Sequence, residues 1–200
     1  MSKIEDQVNE YLSKHFVGLD LSNKALIAKE FEDCNFRDCD FSGAILDKSK
    51  FVDCHFEKCN LSLIKISQSK LTDVMFEECK MVGVDWTRAT WSSFKLNASI
   101  KFYKCILNDS SFFGLDMAEI VIEESKAHDV DFREGNFSDA NFSYSDFSNA
   151  LFNNTNLTSV NFVEAINYNI DVYINNISKA KFTRYEATRL LDSLGVELVD

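Results

Sequence analysis

The 200-residue chain contains no proline, only six glycines and only three histidines. Without proline or a glycine-rich stretch there is no composition break to mark a linker, so a single domain is expected. No run of 18 apolar residues occurs and no basic-then-apolar leader precedes the chain, so a soluble, cytoplasmic protein without membrane contact is expected. The three histidines, His15, His55 and His128, do not cluster in sequence. No His-Glu-x-x-His motif, phosphate-binding glycine loop or serine–histidine–aspartate set is present. Catalysis, a metal centre and a cofactor are therefore not expected.

What the chain does contain is phenylalanine, 18 of them, on a fixed period. Steps of five from Phe16 land on Leu21, Leu26, Phe31, Phe36, Phe41, Leu46, Phe51, Phe56, Leu61, Ile66, Leu71, Phe76, Met81, Trp86, Trp91 and Leu96. One extra residue near Asn97–Lys101 shifts the phase, and the series resumes from Phe102 through Phe162. It fails at Asn167 and returns at Val172, Ile177 and Phe182. Only Phe94 and Phe113 fall off it. A period of five matches neither the α-helix, near 3.6, nor the strand, near 2.0, and demands a chain that turns a corner every five residues.

The position two before each apolar centre is small, as at Ala44, Ser49, Ser69, Ser110, Ser145 and Ala165, and it holds all six cysteines: Cys34, Cys39, Cys54, Cys59, Cys79 and Cys105. Cysteines 20 residues apart stack in consecutive coils, and their spacing reads as a small apolar core ladder, not a ligand set. In this register His55 and His128 face outward.

The runs Cys34-Asn-Phe-Arg-Asp-Cys-Asp-Phe-Ser and Asp139-Ala-Asn-Phe-Ser-Tyr-Ser-Asp-Phe-Ser-Asn-Ala resemble the A-(D/N)-(L/F)-(S/T)-x repeat of the pentapeptide-repeat family. The resemblance spans residues 16–182 and implies an all-β solenoid: a right-handed quadrilateral β-helix of about eight coils, each held by its neighbours. Two short capping helices are expected. Residues 1–15 have a Ser2/Glu5 capping-box spacing with Ile4, Val8, Tyr11 and Leu12 on one face; residues 183–200 have a Thr183/Glu186 spacing, then Ala187, Leu190, Leu191 and Leu194, with Gly195 beyond. The tail Val196–Val199 alternates like a strand.

Charge is distributed unevenly. The chain carries 32 acids against 21 bases, net −11. Between Cys105 and Asp171, twelve acids meet only Lys126 and Arg133. Ten of them, Asp109, Asp116, Glu119, Glu123, Glu124, Asp129, Asp131, Glu134, Asp139 and Asp146, form the candidate partner-binding surface. A rod bearing carboxylates about one coil, roughly 5 Å, apart has a charge density of the same order as duplex DNA, with one phosphate about every 3.4 Å per strand.

The segment Glu186–Leu198 resembles the C-terminal helix of the Qnr-type quinolone-resistance group. That resemblance implies a homodimer through Ala187, Leu190, Leu191 and Leu194. It also implies a DNA mimic that binds DNA gyrase or topoisomerase IV and protects it from quinolones or toxins, without binding nucleic acid itself. Some members of that group carry long projecting loops, whereas the phase break here reads as one added residue. The competing expectation is a general interaction scaffold or regulator, anchored by the outward aromatics Phe113, Tyr144, Tyr168 and Tyr173.

Overall fold

A computed structural model describes residues 3–5, 7–91, 99–197 and 199. The chain winds into a four-walled β-solenoid of about eight coils. Each wall is five residues long and each coil 20. Successive coils pair in parallel and in register, Tyr11 on Phe31, Phe31 on Phe51 and Phe51 on Leu71 along wall 1, and Phe16, Phe36, Phe56 and Phe76 along wall 2. Walls 3 and 4 are ladders of single bridges, such as Asp40 to Asn60 and Ile45 to Lys65.

The period of five becomes structure through a repeated backbone device. The residue two after each centre adopts the left-handed conformation, with φ of 51° at Asp33, 50° at Asp53 and 58° at Asp139. That residue is the corner. Asp, Asn and Gly tolerate this region best, which explains why the corners are polar.

The centres point inward and pile up. Rings stack coil on coil, at 4.6 Å between the centroids of Phe36 and Phe56 and 5.0 Å for Phe132 and Phe152. Neighbouring walls meet edge to face, as Phe132 and Phe137 do at 88°. Full burial of each such side chain contributes about 1.5–3 kcal/mol, so this column dominates the energetics.

The small slot two before each centre is buried and does more than leave room. Ser49 Oγ donates to the Leu26 carbonyl one coil away at 2.7 Å, and Ser69 Oγ to that of Leu46 at 2.6 Å. In return Ser49 N–H donates to Ser69 Oγ at 3.2 Å. The cysteines act in the same way: Cys79 Sγ lies 3.3 Å from the Phe56 carbonyl and Cys59 Sγ 3.4 Å from that of Phe36. They are therefore hydrogen-bond donors to buried carbonyls as well as small core groups. Cys39, Cys59, Cys79 and Cys105 form one column on wall 3, and Cys34 with Cys54 another on wall 2.

Four expectations are corrected by the structure. First, no described residue before Glu10 is helical; the repeat begins one step early, at Tyr11, in the strand Glu10–Leu12. The end of the stack is closed instead by Lys29, a slot residue only 5% exposed. Its ammonium donates to the carbonyls of Glu5 and Val8 and to Asn9 Oδ1, while Ile4 and Val8 pack on the core.

Second, the phase break is longer than one residue. Val74 pairs with Ile100 and Phe76 with Phe102, a step of 26 where the coils on either side take 20. Six residues are thus added, between Trp91 and Ile100; Leu96 and Asn97 lie outside the described residues. A whole repeat plus one residue is indistinguishable in phase from one residue alone.

Third, around 166–173 the inward side chains are Tyr168 and Ile170, each 1% exposed, and not Val172. Ile170 bridges to Phe152, and Tyr168 packs 5.4 Å from both Phe162 and Phe182.

Fourth, the expected C-terminal helix is present as the 3-10 helix Glu186–Leu194, but the expected capping box is not: its first flanking residue, Tyr185, makes no side-chain cap. The Thr183 hydroxyl accepts from Glu164 N–H instead. Gly195 ends the helix in the left-handed conformation at φ 66°, as its position suggested. The tail is not a strand among the described residues.

Two substitutions test this packing. Ser69→Ala removes the second hydrogen bond of both the Leu46 carbonyl and the Ser49 N–H, which stay bonded to each other at 3.0 Å, and lowers unfolding free energy by about 0.5–1.5 kcal/mol; Ser69→Cys retains a donor and costs less. A Cβ on Gly135 would sit 2.4 Å from the Phe137 ring. Gly135→Ala is accordingly destabilising by about 1–3 kcal/mol, measured by urea unfolding.

Candidate functional site

Carboxylates reach the surface from three of the five positions on a side, and most prominently from the left-handed corners. The ten acids anticipated from the sequence do not gather into one stripe. Asp109 and Asp129 stack on the corner between walls 3 and 4, and Glu119 and Asp139 on the corner between walls 1 and 2, each pair one coil apart. Glu124 lies on the corner between walls 2 and 3, and Glu134 on that between walls 4 and 1. Asp116, Asp131 and Asp146 precede centres on walls 1, 4 and 3, and Glu123 follows one on wall 2.

Several have a cation or a histidine beside them. Arg133 forks onto Asp131, with Nη2 at 2.8 Å, and His128 Nε2 lies 3.0 Å from Asp146. Lys104 is 3.9 Å from Glu124. That corner alternates in sign over Asp38, Lys58, Glu78, Lys104 and Glu124, with Lys58 close to both Glu57 and Glu78. His55, likewise outward, sits 3.3 Å from Glu77.

The corner between walls 1 and 2 is different. Asp33, Asp53 and Asp73 occupy it in three successive coils, and Glu119 and Asp139 occupy it again beyond the 26-residue coil. All five have φ between 50° and 67°. None takes part in an ion pair among the described residues; Ser13 and Ser99 hydroxyls donate to Asp33 and Asp73. The first three escaped the sequence reading because charge was summed by segment. The signal that could have found them is a carboxylate recurring every 20 residues at one offset.

The outward aromatics divide. Phe113 is 40% exposed with the Arg133 guanidinium 5.6 Å over its ring; Tyr144 and Tyr173 are also exposed. Tyr168, expected outside, is core, and burial pushes its hydroxyl up to about 12. Of the residues anticipated for dimerisation, Leu190 packs against the core, Ala187 and Leu191 are half-buried and Leu194 is exposed.

Thiol chemistry finds no footing in the cysteine columns. All six are buried. Burial raises Cys54 to about 12, and a side-chain interaction with Cys105 is the first of the causes that bring Cys79 to about 12. Among the described residues no group of three or more His, Cys, Asp or Glu could hold a metal, and no helix is long and apolar enough to cross a membrane.

Stacked corners, a filled core and this repeat define a class, and the sequence confirms it. Residues 29–100 and 95–162 match the family described as the pentapeptide repeat region. The chain belongs to that family. Among solved structures it is similar in fold to a trypsin-treated variant of QnrB1, a plasmid-mediated fluoroquinolone resistance protein, at TM-score 0.60 and 19% identity over 95% of this chain and 100% of that one. Full-length QnrB1 matches at TM-score 0.56 and 18% identity, over 94% of this chain and 100% of that one. A search of curated proteins finds no match.

Two predictions follow from the charges. Unpaired like charges roughly 4.8 Å apart on one corner repel by up to about 1 kcal/mol in water. Asp53→Asn, which keeps the left-handed preference, therefore raises the urea midpoint at low salt, and the gain falls to about a third in 0.5 M salt, where the Debye length is about 4 Å. Burial favours the neutral form of Asp146, but hydrogen bonds from Asn167, Ser148 and His128 outweigh it and hold the carboxyl below 3.8. Its contribution is complete above about pH 4 and is lost as pH falls through the lowered value. Asp146→Asn should make stability less sensitive to pH below 4, read from acid unfolding curves.

Proposed function

We propose that this protein is a non-enzymatic acidic solenoid that enters a basic DNA-binding groove of a type II topoisomerase, DNA gyrase or topoisomerase IV, and protects the enzyme from quinolones or toxins. The observation that carries this reading is the unpaired corner of Asp33, Asp53, Asp73, Glu119 and Asp139. The neighbouring corner of Asp38, Lys58, Glu78, Lys104 and Glu124 instead alternates in sign, with ion pairs at Lys58 and Lys104. On the unpaired corner five coils each leave one uncompensated charge, between Ser13 at one end and Ser159 at the other. A linear file of fixed carboxylates attracts a file of cations over a long range. Ionised side chains held on a rigid backbone lose little freedom when they bind. The Qnr-type resemblance and the fold shared with QnrB1 support the choice of enzyme. The six residues added between Trp91 and Ile100 interrupt the repeat more than the phase alone suggested.

The test is gyrase supercoiling in ciprofloxacin, with the wild type and a variant carrying Asp33→Asn, Asp53→Asn, Asp73→Asn, Glu119→Gln and Asp139→Asn. Wild type restores supercoiling and the variant loses at least tenfold in potency. No relief by wild type, together with no gyrase binding at low salt, rejects the proposal. The second reading, an interaction scaffold, is favoured by Tyr144, a bulky residue at a left-handed corner with φ 58° and 58% exposure. Strain of this kind is retained where something else requires it. Under that reading a partner tolerates the five neutralised acids and is lost on Tyr144→Ser.

A further inference from the structure

In the second half of the rod, side-chain amides on walls 1 and 2 form files that run along the axis. On wall 1, Asn156 Nδ2 donates to Asn136 Oδ1 at 2.8 Å, and Asn136 Nδ2 donates to Asp116 Oδ1 at 2.6 Å. On wall 2, Asn161 Nδ2 donates to Asn141 Oδ1 at 3.0 Å, and Asn141 Nδ2 donates to Glu123 Oε2 at 2.9 Å. A third file has one step, from Asn167 Nδ2 to Asp146 Oδ1 at 2.9 Å. Every donor points to the preceding coil, and every file ends on a carboxylate.

The backbone sets this direction. Oδ1 of Asn136, Asn141, Asn156 and Asn161 also accepts the N–H two residues on, from Ser138, Ser143, Thr158 and Val163, at 3.2–3.3 Å. That local turn pins the oxygen beside its own strand, which leaves the NH2 group facing the coil before. The first amide of each file therefore needs an acceptor in that coil. A carboxylate only accepts, and it makes the stronger, charge-assisted bond. Asp116 lies in register under Asn136 and receives it directly. Val121 lies under Asn141 and has no side-chain acceptor, so the amide reaches across the strand to Glu123. Amides bonded in series polarise one another, so the anchor of the first is felt by the second. Among the described residues no side-chain amide donates to the corner acids Asp33, Asp53, Asp73, Glu119 or Asp139; Asp33 and Asp73 receive serine hydroxyls.

We infer that Asp116, Glu123 and Asp146 are anchors of the amide files and take no part in binding, so that the interaction surface is the single corner of Asp33, Asp53, Asp73, Glu119 and Asp139. The partner that fits it presents a narrow file of lysines or arginines, not a broad basic face. The statement about a partner rests on the topoisomerase reading; the statement about the amides does not. An anchor needs an acceptor oxygen but no charge, whereas a contact with a cationic groove needs the charge. Amide substitution separates the two.

Two triple variants are compared with wild type by side-chain amide NMR, by urea unfolding in about 0.5 M salt to screen the change in net charge, and by gyrase supercoiling in ciprofloxacin. Asp116→Asn/Glu123→Gln/Asp146→Asn removes the charges and keeps an acceptor at each site. It should keep the urea midpoint and the protection of gyrase. Asp116→Ala/Glu123→Ala/Asp146→Ala removes the same charges and the acceptors. It should lower the midpoint and shift the NH2 resonances of Asn136 and Asn141, and also those of Asn156 and Asn161 one coil further on. An unchanged midpoint in the Ala variant, or unmoved Asn156 and Asn161, overturns the inference, because the files would then not depend on their ends. Equal destabilisation by the Asn/Gln/Asn variant overturns it as well, since charge and not acceptance would be at work. Loss of protection by that variant with its midpoint intact does the same, since these charges would then touch the partner. If wild type itself gives no protection, the topoisomerase reading fails, and the amide shifts and midpoints decide the anchoring alone.

Discussion

A side of five residues can enclose one ring and one small group and nothing more, so no coil is stable without the coils above and below it. That constraint governs the rest of the molecule. It sets the ring columns, and it requires the slot residue to close hydrogen bonds that the corner geometry leaves open. Serine, cysteine, threonine and, once, asparagine meet this need in turn: Thr155 Oγ1 reaches the Phe132 carbonyl, and Asn175 receives the Thr155 N–H while donating to Phe152. Where the stack ends, a slot lysine reaches along the axis to carbonyls that no further coil could bind.

Much of this was legible in the residues. The period located the centres, the slots and the stacking of Cys39, Cys59 and Cys79, because a repeat converts sequence distance directly into spatial neighbours. What was not legible lies where periodicity stops. A short amphipathic pattern at residues 4–12 reads as a helix by local spacing, but Tyr11 gains more by stacking on Phe31 at 5.1 Å than a marginal helix could offer. The 26-residue coil hides because phase is blind to whole repeats. Tyr168 was mistaken for a surface residue because the chain leaves register at Asn167, where the left-handed turn comes early, at φ 58°.

The candidate site was half visible for the same reason. Composition by segment pointed to the second half of the chain, and the structure scatters those acids over all four corners. Register, not local density, joins Asp33, Asp53 and Asp73 to Glu119 and Asp139. The residue type was partly dictated by backbone, since aspartate suits a left-handed corner. The absence of lysine or arginine partners is not explained by backbone, and that absence separates this corner from the alternating one beside it.

The in-register parallel stacking has an evolutionary consequence. Because each layer touches only its two neighbours and every layer presents the same offsets, inserting or removing twenty codons in frame exchanges one storey for another without disturbing those beyond. The rod can therefore be made longer or shorter to fit a target of a given span while its chemistry at each storey is conserved. Selection can tune reach and residue identity as separate variables, a freedom that a globular core, where every side chain constrains many others, does not have.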